Sequence, residues 1–209
     1  MSDALTELLR HPALWRGGAV GAAPATVSTG FRRLDEHLPG GGWPLRTLTE
    51  LLVPAAGVGE IRLLLPALCA LSAATPGELP RWIAWLAPPH LPYAPALIDA
   101  GLDPARMLVI QPHAGLDRLW AMEQALRSGA CAAVLGWIGA TSDQALRRLK
   151  LAAEEGGSPG FLFRPPSCRG ECSPAALRIL LTAHDAGLDV EILKSRGGRS
   201  ARIDRLLVH

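Results

Sequence analysis

Residues Thr49–Leu63 read TELLVPAAGVGEIRL, an apolar strand that runs through a glycine-containing turn into a helix. That order is the setting of a phosphate-binding loop, G-x-x-x-x-G-K-[ST]. In such a loop backbone N–H groups cradle phosphates, the Lys reaches the outer phosphates and the hydroxyl holds Mg²⁺. Here Pro54 stands in the first glycine slot, Gly57 lies within the turn and Gly59 fills the last glycine slot. Glu60 stands in the lysine slot and Ile61 in the hydroxyl slot. A carboxylate repels a triphosphate, and an isoleucine cannot ligate a metal. The stretch predicts a nucleotide-hydrolase scaffold without hydrolysis, with no cofactor and no metal, whose role is binding.

Around this stretch the pattern alternates. Apolar strands are predicted at Leu48–Val53, Trp82–Ala87, Met107–Gln111, Ala132–Ile138 and Phe161–Phe163, with helices over 59–73, 94–100, 116–128 and 142–155. Strands that are apolar throughout, each followed by a helix, indicate a mostly parallel sheet covered on both faces. Leu177–His184 and Leu188–Leu193 flank Asp185-Ala-Gly187 and read as an antiparallel hairpin at one sheet edge. Upstream, Leu5, Leu8 and Leu9 form the apolar face of a short helix over 4–10, and Gly17–Pro24 reads as a linker. The expected organisation is an N-terminal helix and linker at 1–25 and one α/β domain at 26–209.

Composition bounds the function. A chain of 209 residues with 49% hydrophobic content suits one α/β domain with a full core. No apolar run reaches the ~18 residues that cross a bilayer. The N-terminus MSDALTELLRHPALW has acids and no signal pattern, and four cysteines form no dense framework, so a reduced cytoplasm is expected. A net charge of +2 gives no argument for nucleic acid, but Lys194, Arg196, Arg199, Arg202 and Arg205 cluster against one acid, Asp204. Cys168-x₃-Cys172 lacks the second ligand pair that zinc requires and reads as two incidental thiols in an exposed loop that also carries Arg164, Arg169 and Glu171. Cys69 and Cys131 read as core. His90 and His113 follow strand ends without a nucleophile or acid beside them and read as loop residues. Of six tryptophans, Trp82, Trp85, Trp120 and Trp137 read as core, whereas Trp15 and Trp43 lie outside the alternation.

Val27-Ser-Thr-Gly30, Leu34-Asp35, Gly41-Gly42, Glu50, Met107-Leu-Val-Ile-Gln-Pro112 and Gly115…Ser128-Gly129-Ala130 occur in the order found in the recombinase RecA core, which residues 26–196 resemble. Leu14-Trp15-Arg16, Thr29-Gly30-Phe31, Leu34-Asp35, Leu38-Pro-Gly-Gly-Gly-Trp-Pro44, Leu48-Thr-Glu-Leu-Leu52 and Leu193-Lys-Ser-Arg-Gly-Gly198 resemble the ImuA-type group, accessory proteins of bacterial DNA-damage mutagenesis. The related SulA-type cell-division inhibitors share a similar core.

The resemblance implies a RecA-like fold whose functional positions are lost. The water-activating acid falls at Pro89, the adenine-stacking aromatic near Ala96 and the magnesium-orienting acid at Gly136. It also implies shortened DNA-contacting loops and weak or no direct DNA binding. The expected role is a non-catalytic adaptor of translesion synthesis in the SOS response. Its implied partners are an ImuB-like inactive Y-family polymerase, the RecA recombinase and, indirectly, an error-prone replicative-type polymerase; no membrane is involved. Lys194 and Arg196 would reach into a RecA neighbour, and Leu5, Leu8, Leu9 and Trp15 would anchor a partner. The alternative is SulA-like inhibition of cell division through the tubulin-like division protein.

Overall fold

Strand β3 (Leu48–Leu52) is buried at every position because it has a neighbour on each side and layers above and below. It pairs in parallel with β7 (Gly160–Arg164) and β8 (Leu177–His184). The computed structural model describes residues 25–73, 81–112, 115–184 and 187–207. The calls on Leu5, Leu8, Leu9, Trp15 and His113 lie outside these residues.

Between β3 and β7 the chain alternates strand and helix: α2 (Glu60–Ser72), β4 (Trp82–Leu86), α3 (Ala94–Asp99), β5 (Met107–Ile110), α4 (Gly115–Arg127), β6 (Cys131–Trp137) and α5 (Asp143–Gly156). Before β3 lie β1 (Thr26–Val27), α1 (Arg32–Asp35) and β2 (Trp43–Pro44); after β8 come β9 (Gly187–Ser195) and β10 (Ala201–Leu206). The eight-stranded sheet runs β10-β9-β8-β3-β7-β6-β4-β5. The strands from β8 through β5 are mutually parallel, and β9 and β10 extend the sheet antiparallel beyond β8.

Alternation along each strand divides the core. Leu51, Ile83, Trp85, Phe161 and Phe163 face one layer, where Leu63, Leu64, Ala67 and Leu68 of α2 and Leu34, Leu38 and Trp43 of the entry segment pack. Leu48, Ala84, Leu86, Val134 and Leu162 face the other, against Met122 and Leu126 of α4 and Leu146, Leu149 and Ala152 of α5. Gly136 is forced by that second layer: a Cβ there would lie 2.5 Å from the Met122 sulfur. Trp43 is fully buried and meets Phe161 edge-on with ring centroids 5.8 Å apart, an arrangement that contributes about 0.5–1.5 kcal/mol beyond area burial.

The entry motif is a packing device. The Asp35 carboxylate accepts the Ser28 hydroxyl at 2.6 Å and the Thr29 N–H at 2.9 Å. Gly42 lies so close to the Val27 carbonyl that a Cβ would sit 2.1 Å from its oxygen.

Over β3 and β8 on the second face, the segment 165–174 takes the place of a helix, and charge holds it there. Glu50 of β3 is 0% exposed. Its Oε2 accepts from Arg178 Nε at 2.8 Å and Arg164 Nη1 at 3.3 Å, and Ser173 donates its hydroxyl to Oε1. Arg178 also donates to the carbonyls of Cys168 and Glu171, and Arg164 to the Glu171 carboxylate and the Gly139 carbonyl. Lys194 of β9 donates to the Ser173 carbonyl at 2.6 Å. Arg164 is thus buried, contrary to the exposed loop residue read from sequence, because a carboxylate 114 positions upstream receives it.

Two further expectations are corrected. Trp82 and Trp120 are 43% and 62% exposed rather than core, since each stands where no neighbouring layer covers it. Strand β10, which the sequence reading did not include, forms the sheet edge outside β9.

Removing one partner of a buried ion cluster leaves the others unpaired and costs about 3–5 kcal/mol. Glu50→Gln is accordingly expected to lower unfolding free energy by about 3 kcal/mol in urea titration, whereas Glu36→Gln, on an exposed i,i+4 pair with Arg32, changes it by less than about 0.5 kcal/mol.

Candidate functional site

Among the described residues, the edge of the sheet opposite β10 is apolar and uncovered. Among the described residues β5 pairs only with β4, in the register Ala84↔Leu108 and Trp85↔Val109. The β4 partners are buried, but Leu108 is 44% and Val109 37% exposed, since among the described residues no further strand lies beyond β5. The segment leaving β4 adds to this surface. Ala87 adopts a left-handed φ of 50° and donates its N–H to the Ile110 carbonyl at 2.8 Å, and Gln111 Nε2 donates to the Pro88 carbonyl at 3.0 Å. These bonds hold the ends of β4 and β5 together and direct the next residues outward. Leu91 and Tyr93 are exposed, as is Ile98 of α3, which sends only Leu97 into the core. Leu91, Tyr93, Ile98, Leu108 and Val109 thus line one end of the sheet with large apolar side chains, the composition of a recognition surface. The sequence reading missed them because MLVI is apolar throughout and looks like a central strand; only strand order shows that it is terminal. His90 is exposed in this same segment.

At the end of β3, Pro54 and Gly57 lie in an exposed turn, Gly59 precedes α2 with φ 108°, and Ile61 packs partly buried against the core. Glu60 is 2% exposed, and its Oε1 accepts the Gly57 N–H at 2.9 Å. Pro89 is exposed after β4, whereas Gly136 is buried in β6. These positions belong to three different strand ends, and Glu60, already bonded to the Gly57 N–H, is the one titratable side chain among them. Among the described residues no cluster of three or more His, Cys, Asp or Glu could hold a metal ion.

The C-terminal basic residues separate into different environments. Lys194 is tied to Ser173, and desolvation, with the Arg178 charge nearby, pushes its ammonium below the ordinary lysine range. Arg196 and Arg199 are exposed in the turn after β9. Arg202 pairs with Asp204 at 2.7 Å and with Asp189 at 3.0 Å. Arg205 has φ 51° at the β10 bulge and gives its backbone N–H to Asp189. Of the basic run, Arg202 is ion-paired and Lys194 is bonded to a carbonyl, whereas the side chains of Arg196, Arg199 and Arg205 are exposed.

A family model for the cell division inhibitor SulA matches residues 49–160. SulA of Serratia marcescens is 31% identical over 130 residues, covering 60% of this chain and 74% of that protein. SulA of Photorhabdus laumondii is 33% identical over 102 residues, covering 49% of this chain and 58% of that protein. The crystal structure of SulA from Pseudomonas aeruginosa aligns at 29% identity over 56% of this chain and 97% of that one, with a TM-score of 0.45. The chain belongs to the SulA family of cell division inhibitors, a name that describes an inhibitory action and not a catalysed reaction.

This membership overturns the ImuA-type placement, the translesion-synthesis role and the ImuB-like, polymerase and RecA partners drawn from it. The reason is visible in the fold. Val27-Ser-Thr-Gly30, Leu34-Asp35 and the turn before Trp43 lie outside the matched residues and close the entry segment onto the core. Such packing motifs carry no information about a partner. No described helix is long and apolar enough to cross a membrane.

Two measurements probe these environments. The Arg205 N–H and the Arg202 guanidinium hold the Asp189 carboxyl below the usual carboxylate range. Its contribution is therefore present above about pH 4, where the unfolded carboxylate ionises, and is lost as pH falls through the lower folded value. The protection of β10 amides against hydrogen exchange, measured relative to the intrinsic rate at each pH, should fall on acidification in the parent and change less in Asp189→Asn. In thiol labelling of the native protein, exposed Cys172 should react first. Cys131 and Cys168 are buried, with thiols pushed up by desolvation, and should react only on unfolding.

Proposed function

We propose that this protein inhibits cell division by non-catalytic binding of the tubulin-like division protein, and that the β5 edge is its docking surface. The observation that carries the reading is positional. The segment shared with the SulA family, residues 49–160, contains all of Leu91, Tyr93, Ile98, Leu108 and Val109. A shared binding activity should reside on surface that the shared segment exposes, and these five are large apolar groups it exposes on β5 and on the segment between β4 and β5, with Trp82 of β4 also exposed beside them. The relatives named for inhibiting cell division support the activity. We further read the core as RecA-like and the protein as acting in the response to DNA damage, with the division block as its output.

Apolar and aromatic anchors at the centre of an interface each contribute about 2 kcal/mol or more, close to thirtyfold in affinity. Tyr93→Ala removes a side chain that is 72% exposed and so leaves the core intact. Together with Leu108→Asp it should weaken binding to the purified division protein at least about tenfold and abolish filamentation of cells that express it, with an unchanged circular dichroism spectrum. Full affinity in a folded double variant would exclude the β5 edge.

A further inference from the structure

The turn before α2 already contains an anion, and the chain supplies it. Glu60 is the first residue of a thirteen-residue helix whose preceding residue, Gly59, makes no side-chain cap. The first N–H groups of a helix have no intrahelical partner and carry partial positive charge, which makes that end a place for anions. The first bond from this turn of α2 is Leu63 N–H to the Gly59 carbonyl at 3.0 Å. Glu60 does not extend into solvent from this position. It is 2% exposed beneath a turn whose residues Pro54–Gly57 are exposed, and it folds back so that Oε1 accepts the Gly57 N–H at 2.9 Å. Its second oxygen, Oε2, is buried with no hydrogen-bond partner among the described residues. A carboxylate oxygen kept out of water without a donor is costly. A capping role alone gives no reason to hold both oxygens inside the turn.

We infer that the Glu60 carboxylate is the built-in occupant of an anion cradle formed by the turn 54–59 and the start of α2. It satisfies the Gly57 amide, sets the turn conformation and repels any phosphate that approaches. With the carboxylate removed, the same turn binds a phosphate-class anion. The inference is independent of which partner the β5 edge takes, because the two surfaces are read from different residues and tested by different ligands.

The experiment titrates inorganic phosphate, against chloride at matched ionic strength, into the full chain and into Glu60→Ser, following the Gly57 and Gly59 amide resonances and the midpoint of thermal unfolding. The parent should show no saturable response. Glu60→Ser should show movement of both amides and a phosphate-dependent rise in midpoint, with affinity at least about tenfold above the parent, the order of effect expected when an opposing charge leaves a helix N-terminus. Glu60→Gln keeps the size and the acceptor, so it covers the case in which the serine variant does not fold; it should gain a weaker but measurable phosphate response. A folded Glu60→Ser with still amides overturns the inference, as does parent binding equal to that of the variant. Should Glu60→Ser not fold, Glu60→Gln with the parent's response overturns it too.

Discussion

Glu50 with Arg164 and Arg178 is the constraint on which the rest of this structure depends. Three ionised side chains lie within the sheet, each at most 7% exposed. Burying them is unfavourable unless every donor and acceptor is met. Here they are met by one another, by Ser173, and by the carbonyls of Gly139, Cys168 and Glu171. The arrangement fixes register, because sliding β8 by one residue against β3 would turn Arg178 to the opposite, apolar face. It also joins two parts of the protein. Glu50 lies within the segment shared with the SulA family, whereas Arg164 and Arg178 lie beyond it. Strand β8 and the end of β7, which lie beyond the shared segment, are therefore fastened to β3 by charge as well as by their parallel ladders.

How far this was legible in the sequence depends on the range of each interaction. Helices and buried strands are set by local periodicity, and the alternation from Leu48 to Phe163 reads directly from the order of apolar runs. The ion cluster is not local. Glu50 stands in an apolar strand, where its charge alone signals that a partner exists, but that partner is Arg164, over a hundred positions away. Arg164 followed by Pro165 and Pro166 reads as a loop start, so burial could not be seen. β10 was invisible for a related reason. ARIDRL alternates poorly, since a bulge between Ile203 and Leu206 leaves both Asp204 and Arg205 exposed. Its charges looked like a solvated tail until Asp189 and Asp204 were seen to hold Arg202.

The functional misreading has a different origin. Among the residues that favoured the mutagenesis accessory group, Leu38–Pro44 pin the entry segment, with Trp43 against Phe161 and Gly42 against Val27. A packing solution of this kind can recur wherever the same core must be covered. Partner choice is written on exposed side chains, and those follow from strand order.

The two edges of the sheet make that point concrete. A terminal strand presents unpaired N–H and C=O groups, and proteins that do not use such an edge blunt it with charge, a bulge or a covering segment. β10 carries these devices: Arg202, Asp204 and Arg205 outward, a bulge, and the α1 guanidinium of Arg33 donating to the Asp204 and Arg205 carbonyls. β5 offers Leu108 and Val109 instead, in a strand of four residues with no charged side chain. Among the described residues one edge is thus blunted and the other left apolar, the asymmetry expected if the proposed docking takes place at β5. Because that open edge falls inside the segment common to the division inhibitors while the blunted one falls outside it, the asymmetry itself argues that docking at β5 belongs to the shared activity.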